Sequence, residues 1–124
     1  MEEAARPDVI LDVVFEDGLL FLALRNIGAR PALRVETQFR RPLVGLGGAK
    51  EVSSIALFRR VDFLAPGREI RTLLDSTASW FGRRQPTKVV AEISYGDAAG
   101  ERYETVVRHD LGVYREVAYP VRRD

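Results

Sequence analysis

The sequence contains no cysteine and only one histidine, one tryptophan and one methionine, and it carries no excess of charge of either sign. Without cysteine there is no disulfide framework, no thiolate metal site and no thiol nucleophile. A single histidine among dispersed carboxylates lacks the ligand cluster that zinc requires, so neither a metal nor any other cofactor is expected. Nineteen basic against 18 acidic side chains leave a formal charge of +1. That balance does not build a nucleic-acid surface on overall electrostatics, and no nucleic-acid partner is expected. The longest apolar run, Leu19 to Leu24, is the length of a strand, and Met1 to Pro7 holds no apolar stretch, so neither a spanning helix nor a signal peptide is expected. Membrane association is expected only through an anchor absent from this chain. A cytoplasmic location and one anchored at the membrane surface both stay open.

What is present describes one domain. The chain has 124 residues, 46% of them apolar and 30% charged, close to the commonest domain size. Seventeen of the 19 basic residues are arginine, scattered along the chain, which a coding-composition bias explains more cheaply than recognition. The strongest pattern has a period of two. Leu33, Val35, Thr37 and Phe39 alternate with Arg34, Glu36, Gln38 and Arg40, as a strand half-buried on one face requires. Val9, Leu11, Val13 and Phe15 alternate in the same way. Leu19 to Arg25 reads as a buried strand, joined to the first by Asp17-Gly18, a tight-hairpin dipeptide. Arg68 to Leu74 follows a Pro66-Gly67 turn. Val89, Ala91, Ile93 and Tyr95 pair with Tyr103, Thr105 and Val107 across a five-residue connection, Gly96 to Gly100.

Three stretches depart from this regularity. Ile55 to Phe58 and Val61 to Leu64 are short apolar pieces separated by Arg59-Arg60 and read as a bent or edge strand. Asp75 to Phe81 reads as one or two helical turns, with Asp75 or Ser76 as cap, Gly82 as terminator, and Trp80 and Phe81 plugging one end of the core. Arg41 to Ser54, with Gly45, Gly47 and Gly48, is either a mobile loop or a poorly paired edge. About seven strands with one short helical insert point to an all-β fold, a β-sandwich of two antiparallel sheets. It is expected to span residues 8–114, between an N-terminal linker at 1–7 and a C-terminal tail at 115–124.

No catalytic constellation emerges. His109-Asp110 is the one histidine-carboxylate pair, but neighbours on a strand point to opposite faces, so Asp110 is poorly placed to orient the ring. A hydrolase using His109 is the least favoured reading. Gly45 to Glu51 lacks both the spacing and the strand-to-helix context of a phosphate loop. Glu101 with Glu104, and Asp12 with Glu16, show no opposed pair across a cleft. The doublets Arg40-Arg41, Arg59-Arg60 and Arg83-Arg84 would hold a carboxylate or phosphate if they converged. Trp80, Phe81, Tyr95, Tyr103 and Tyr114 are the candidates for a carbohydrate platform.

Leu24-Arg25-Asn26-Ile27-Gly28-Ala29-Arg30-Pro31-Ala32-Leu33-Arg34-Val35 resembles the second and third strands of bacterial immunoglobulin-like domains of the cell-adhesion-related (CARDB) type. Leu64-Ala65-Pro66-Gly67 is similar to that family's Leu-x-Pro-Gly corner, and Tyr95-Gly96-Asp97 with Gly100 to its last hairpin. The resemblance spans about Val9 to Val107. It implies an immunoglobulin-like β-sandwich and a non-catalytic module with no shared catalytic residues. It extends to small prokaryotic proteins in which such a domain follows an N-terminal membrane helix.

The expected function is therefore a protein-binding or assembly module, possessing no enzyme activity, with a carbohydrate- or acidic-ligand-binding sandwich as the alternative. The expected interaction surface is the Arg41 to Arg60 loop and edge. Leu43, Val44 and Leu46 would be its apolar anchors and Arg40, Arg41, Arg59 and Arg60 its rim. A protein partner or a second copy would add to the exposed edge strand.

Overall fold

A computed structural model describes residues 5–117. Its elements in chain order are β1 (Val9–Glu16), β2 (Leu19–Asn26), β3 (Ala32–Phe39), β4 (Val44–Gly45), β5 (Lys50–Glu51), α1 (Ala56–Arg59), β6 (Val61–Leu64), β7 (Glu69–Ser76), α2 (Thr77–Gly82), β8 (Lys88–Gly96) and β9 (Arg102–Asp110). Seven strands form two antiparallel sheets, one ordered β1-β2-β7 and the other β6-β3-β8-β9, while β4 and β5 make a small separate hairpin. This is an all-β sandwich, as the period-two pattern implies.

The core lies between the sheets. Leu11, Leu20, Leu22, Leu24 and Leu74 from one sheet meet Val35, Ala91, Ile93 and Leu64 from the other, all fully buried or nearly so. The Asp17-Gly18 turn has positive φ at both residues, 53° and 76°, the conformation a two-residue hairpin needs to match strand twist. Trp80 on α2 is buried, with its indole N–H donating to Pro86 O at 3.0 Å, and so plugs the core as its sequence context implies.

Two buried polar side chains fasten the ends. Asn26 is fully buried yet fully satisfied: its Oδ1 accepts from Asp8 N and Gly28 N, and its Nδ2 donates to Arg30 O and Leu64 O. One amide thus joins the entry to β1, the β2–β3 corner and the end of β6. At the other end Asp75 accepts from Ser76 N and Gly47 N and pairs with Arg83, which also donates to Ser79 Oγ and Val44 O.

Several expectations are corrected. Arg41 to Ser54 is neither mobile loop nor stray edge: it folds as the β4–β5 hairpin with two short 3-10 turns and is held by Asp75 and Arg83. Gly45 is required there, because any Cβ would collide with the carbonyl of Leu74. The piece Ile55 to Phe58 is not strand; Ala56–Arg59 forms α1, whose Phe58 turns inward and meets Phe39 edge to face at 4.9 Å between ring centres. Leu33 leaves the face of Val35, Thr37 and Phe39, because a bulge at Arg34 inserts one residue between the pairs Leu33↔Gly96 and Glu36↔Ser94. Residues 5–7 are not a free linker, since Pro7 is buried and Ala29 N donates to Arg6 O at 3.0 Å. Arg115, expected in the tail, lies over the Phe81 ring at 4.6 Å; the other tail positions from 118 onward, and 1–4, fall outside the described residues.

Candidate protein-docking surface

The sandwich has two long sides, and they are finished differently. Where β9 meets β1, His109 Nε2 donates to Leu11 O at 2.7 Å and the Tyr114 hydroxyl reaches Val13 O at 3.4 Å. These are carbonyls on the outward edge of β1, so side chains take the place of another strand. On the opposite side β6 is the edge of the four-stranded sheet and only four residues long. Arg40 N donates to Val90 O, which fixes the backbone parity of β3: Glu36 and Gln38 face β8, whereas Val35 and Thr37 face β6. Val61, opposite Val35, packs against the core, whereas Phe63, opposite Leu33, is exposed, so β6 breaks its alternation at Asp62, which has no pairing partner on β3.

Phe63 is the most exposed aromatic of the core strands, at 59%. Register places it in a row that crosses the solvent face of the sheet as Phe63, Leu33, Gly96 and Arg102. Their neighbours Leu64, Ala32 and Tyr95 are buried on the other face, as alternation demands. The row pairs an apolar half at the free edge with a cationic half toward β9. The next row, Glu36, Ser94 and Glu104, borders a groove of about 540 Å³ that also takes in Arg59 and Phe58.

Of the residues expected to form the interaction surface, Arg40, Arg41 and Leu43 line one cleft, and Val44, Leu46, Arg59 and Arg60 do not line it. Leu43 is a correction: it is 1% exposed and belongs to the core, because Leu43 O accepts Val52 N and its N–H is held by Ser53 Oγ, turning the chain inward. Val44 is half-buried in β4, its carbonyl used by Arg83. Leu46 is exposed, but on the hairpin turn beside β7 and away from the arginines of β3. Arg40 pairs with Glu92 at 3.2 Å, Arg59 donates to Ser54 O at 2.7 Å and Arg60 pairs with Asp62 at 2.9 Å. The cleft lined by Arg40 and Arg41, of about 360 Å³, also takes in Lys88 and is floored by Phe39, Leu43, Pro86 and Val89.

The remaining candidates are placed as plainly. Trp80 and Tyr95 are buried while Phe81, Tyr103 and Tyr114 are half-buried, so the five candidates for a carbohydrate platform do not form one exposed row. Tyr103 stacks on Tyr95 and donates to Asp97. The three arginine doublets lie apart: Arg83 serves Asp75, Arg59 and Arg60 flank β6, and Arg40 follows β3. Asp110 does not orient His109; its carboxylate accepts Gly112 N and faces Lys88, contacts that hold it below the usual carboxylate range, while the ring bonds Leu11 O. No group of three potential metal-ligating side chains occurs among the described residues.

A family model, described as a domain of unknown function and designated DUF8453, matches residues 1–115. The chain belongs to the DUF8453 family. No curated protein and no solved structure matches it. For this DUF8453 domain, sequence reasoning missed the Phe63–Leu33–Gly96–Arg102 row. Leu33 counted as core in an unbroken alternation, and only a bulge that seats Arg34 at φ 51° moves it to the solvent face.

Proposed function

We propose that this chain is a non-catalytic protein-binding module of the immunoglobulin-like kind, in keeping with the CARDB-type resemblance, and that it binds by extending its four-stranded sheet. The observation that supports this reading is the edge strand β6, which pairs with β3 alone and carries an exposed Phe63. An extended segment of a partner chain would pair with that strand and lay an apolar side chain against Phe63 and Leu33. Arg59 and Arg60, two of the arginines expected at the rim, flank the start of the strand.

The test is differential capture by the immobilised chain from extracts of its source cells. Asp62→Pro removes an N–H from the edge strand and Phe63→Glu the apolar anchor; both are expected to abolish a capture that Leu46→Glu leaves intact. Capture indifferent to both substitutions, or a chain that captures nothing and sediments as a strict monomer, overturns the reading.

A further inference from the structure

We propose that Arg34 and Arg102 form a clamp for a carboxylate of the docking segment, so that the partner is acidic as well as extended; this inference rests on the docking reading above and names the chemistry of its occupant. The starting observation is Gly96, the one position of the outer row with no side chain. A Cβ placed there would stand 3.1 Å from Arg102 Nη1 and 3.4 Å from Arg34 Nη2. Two guanidinium groups therefore converge over bare backbone, close enough for one carboxylate to accept from both. Arg102 reaches this point from directly across the β8–β9 ladder, where it is the register partner of Gly96.

Arg34 arrives by a less ordinary route. It holds the left-handed conformation, φ 51°, at the bulge in β3, a geometry that arginine adopts only at a cost in free energy and that re-aims its side chain. Like charges brought together lose free energy unless an anion answers them. Among the described residues neither Arg34 nor Arg102 makes a salt bridge or a side-chain hydrogen bond, a lack they share with Arg30, Arg41, Arg68, Arg84 and Arg108, whereas Arg25, Arg40, Arg60, Arg71 and Arg83 have carboxylate partners. Of the nearby carboxylates, Asp62 pairs with Arg60, Asp97 holds the hairpin and Tyr103, Glu36 and Glu104 stand in the next row, and Glu101, whose backbone O lies 3.3 Å from the same point, forms no salt bridge with either arginine. On the β6 side of the clamp the same row offers Leu33 and Phe63. The chemistry that fits the row is a strand with a large apolar residue toward its β6 end and an aspartate or glutamate over Gly96. The row of Glu36 and Glu104 disfavours an acidic group one rung further along.

The experiment follows the full chain by NMR with two probes at low salt, a blocked hexapeptide alternating glutamate with leucine and its glutamine counterpart. Saturable shifts of the Gly96, Leu33 and Phe63 amides and of the Arg34 and Arg102 Nε–H signals are expected with the first probe, with affinity falling about tenfold for the second. Arg102→Gln and Arg34→Asn are each expected to weaken the glutamate peptide by a similar factor. Because asparagine suits the left-handed backbone, Arg34→Asn should keep or raise the melting temperature, which separates loss of the clamp from loss of the fold. Shifts spread evenly over Arg41, Arg59 and Arg84, or binding that both variants leave unchanged, overturn the clamp. Inorganic phosphate is the third probe: if it moves the same signals as strongly as the peptide does, the acidic peptide is withdrawn as the occupant. Should Phe63→Glu and Asp62→Pro abolish peptide binding while Arg34→Asn and Arg102→Gln do not, the edge reading stands and the clamp falls. Should the clamp bind the peptide in a chain that captures no partner, the reverse holds.

Discussion

The two long sides of this sandwich solve the same problem in opposite ways. A sheet edge presents unpaired backbone groups and invites another chain. On the β1–β9 side the invitation is withdrawn, since His109 and Tyr114 spend their polar atoms on Leu11 O and Val13 O. On the β6 side only part of the edge is covered, by α1 and the β4–β5 hairpin, and β6 itself remains short and uncapped with Phe63 in solvent. The difference teaches that the lone histidine is explained as an edge seal, and that the open edge is where a partner is to be sought. Shortness and the charged Asp62 also keep that edge from being an indiscriminate one.

The largest expected effect is at the junction that holds the open side to the closed one. Asn26→Ala removes four hydrogen bonds and leaves backbone groups of Asp8, Gly28, Arg30 and Leu64 without that partner. Unsatisfied buried groups are expensive, so a loss of about 3–4 kcal/mol is expected in urea unfolding. Hydrogen exchange should accelerate first in β6, whose end Leu64 O anchors, before β8 in the sheet centre. Equal acceleration in both would show that Asn26 supports the domain generally and not the open side in particular.

Next in size is the clasp over the β4–β5 hairpin. Arg83→Met leaves the nearly buried Asp75 carboxylate without its cation and frees Val44 O. Arg83 is itself 27% exposed, which tempers the penalty to about 2 kcal/mol. Adding Asp75→Asn should recover part of it, because a neutral amide tolerates burial better than an orphaned charge. If the double variant is no better than the single one, the hydrogen bonds and not the charge pairing hold the hairpin.

Much of the fold was legible from alternation, because a sandwich strand turns every second residue inward, buried in β1 and β8 and half-buried in β9. The short α2 could be read because Ser76 caps it, its Oγ accepting Ser79 N. The open-side features resisted reading for a physical reason. A bulge changes register without changing composition, so nothing in Leu-Arg-Val announces that Arg34 is the extra residue. Leu43 resembled a loop anchor because its burial depends on Ser53 and Val52 ten and nine positions later. Ile55 to Phe58 is apolar enough for a strand, and only its place against the uncovered end of β3 makes it helical. The convergence over Gly96 joins residues from three strands, a relation that no local pattern carries.

A smaller effect tests the sealed side. His109→Phe keeps the ring's bulk and deletes its bond to Leu11 O, which should cost about 1 kcal/mol. More telling is association. With Leu11 O uncovered, sedimentation velocity should show concentration-dependent self-association that Tyr114→Phe strengthens further. A variant that loses stability but remains monomeric would mean that the edge is protected by something other than these two side chains.

The smallest effect is set by pH at the tip of the β8–β9 hairpin. The Tyr103 hydroxyl, aided by the amides of Glu101, Ala99 and Gly100, holds Asp97 below its ordinary value and in turn raises the Tyr103 phenol. A carboxylate whose folded value lies below its unfolded one stabilises the protein above the unfolded value, near pH 4, and this contribution is lost as pH falls through the folded value. The group is open to solvent, so the contribution is small and screened. Asp97→Asn keeps one oxygen to accept from the Ala99 and Glu101 amides, turns an NH2 donor to the Tyr103 hydroxyl in place of the second oxygen, and cannot titrate. The melting-temperature difference between the parent and this variant should therefore be constant from pH 7 to about 5 and shrink toward zero in more acid solution, by the linkage just given. A difference that persists unchanged into acid would assign the stabilisation to the neutral geometry of the turn, and the ionised carboxylate would have no part in it.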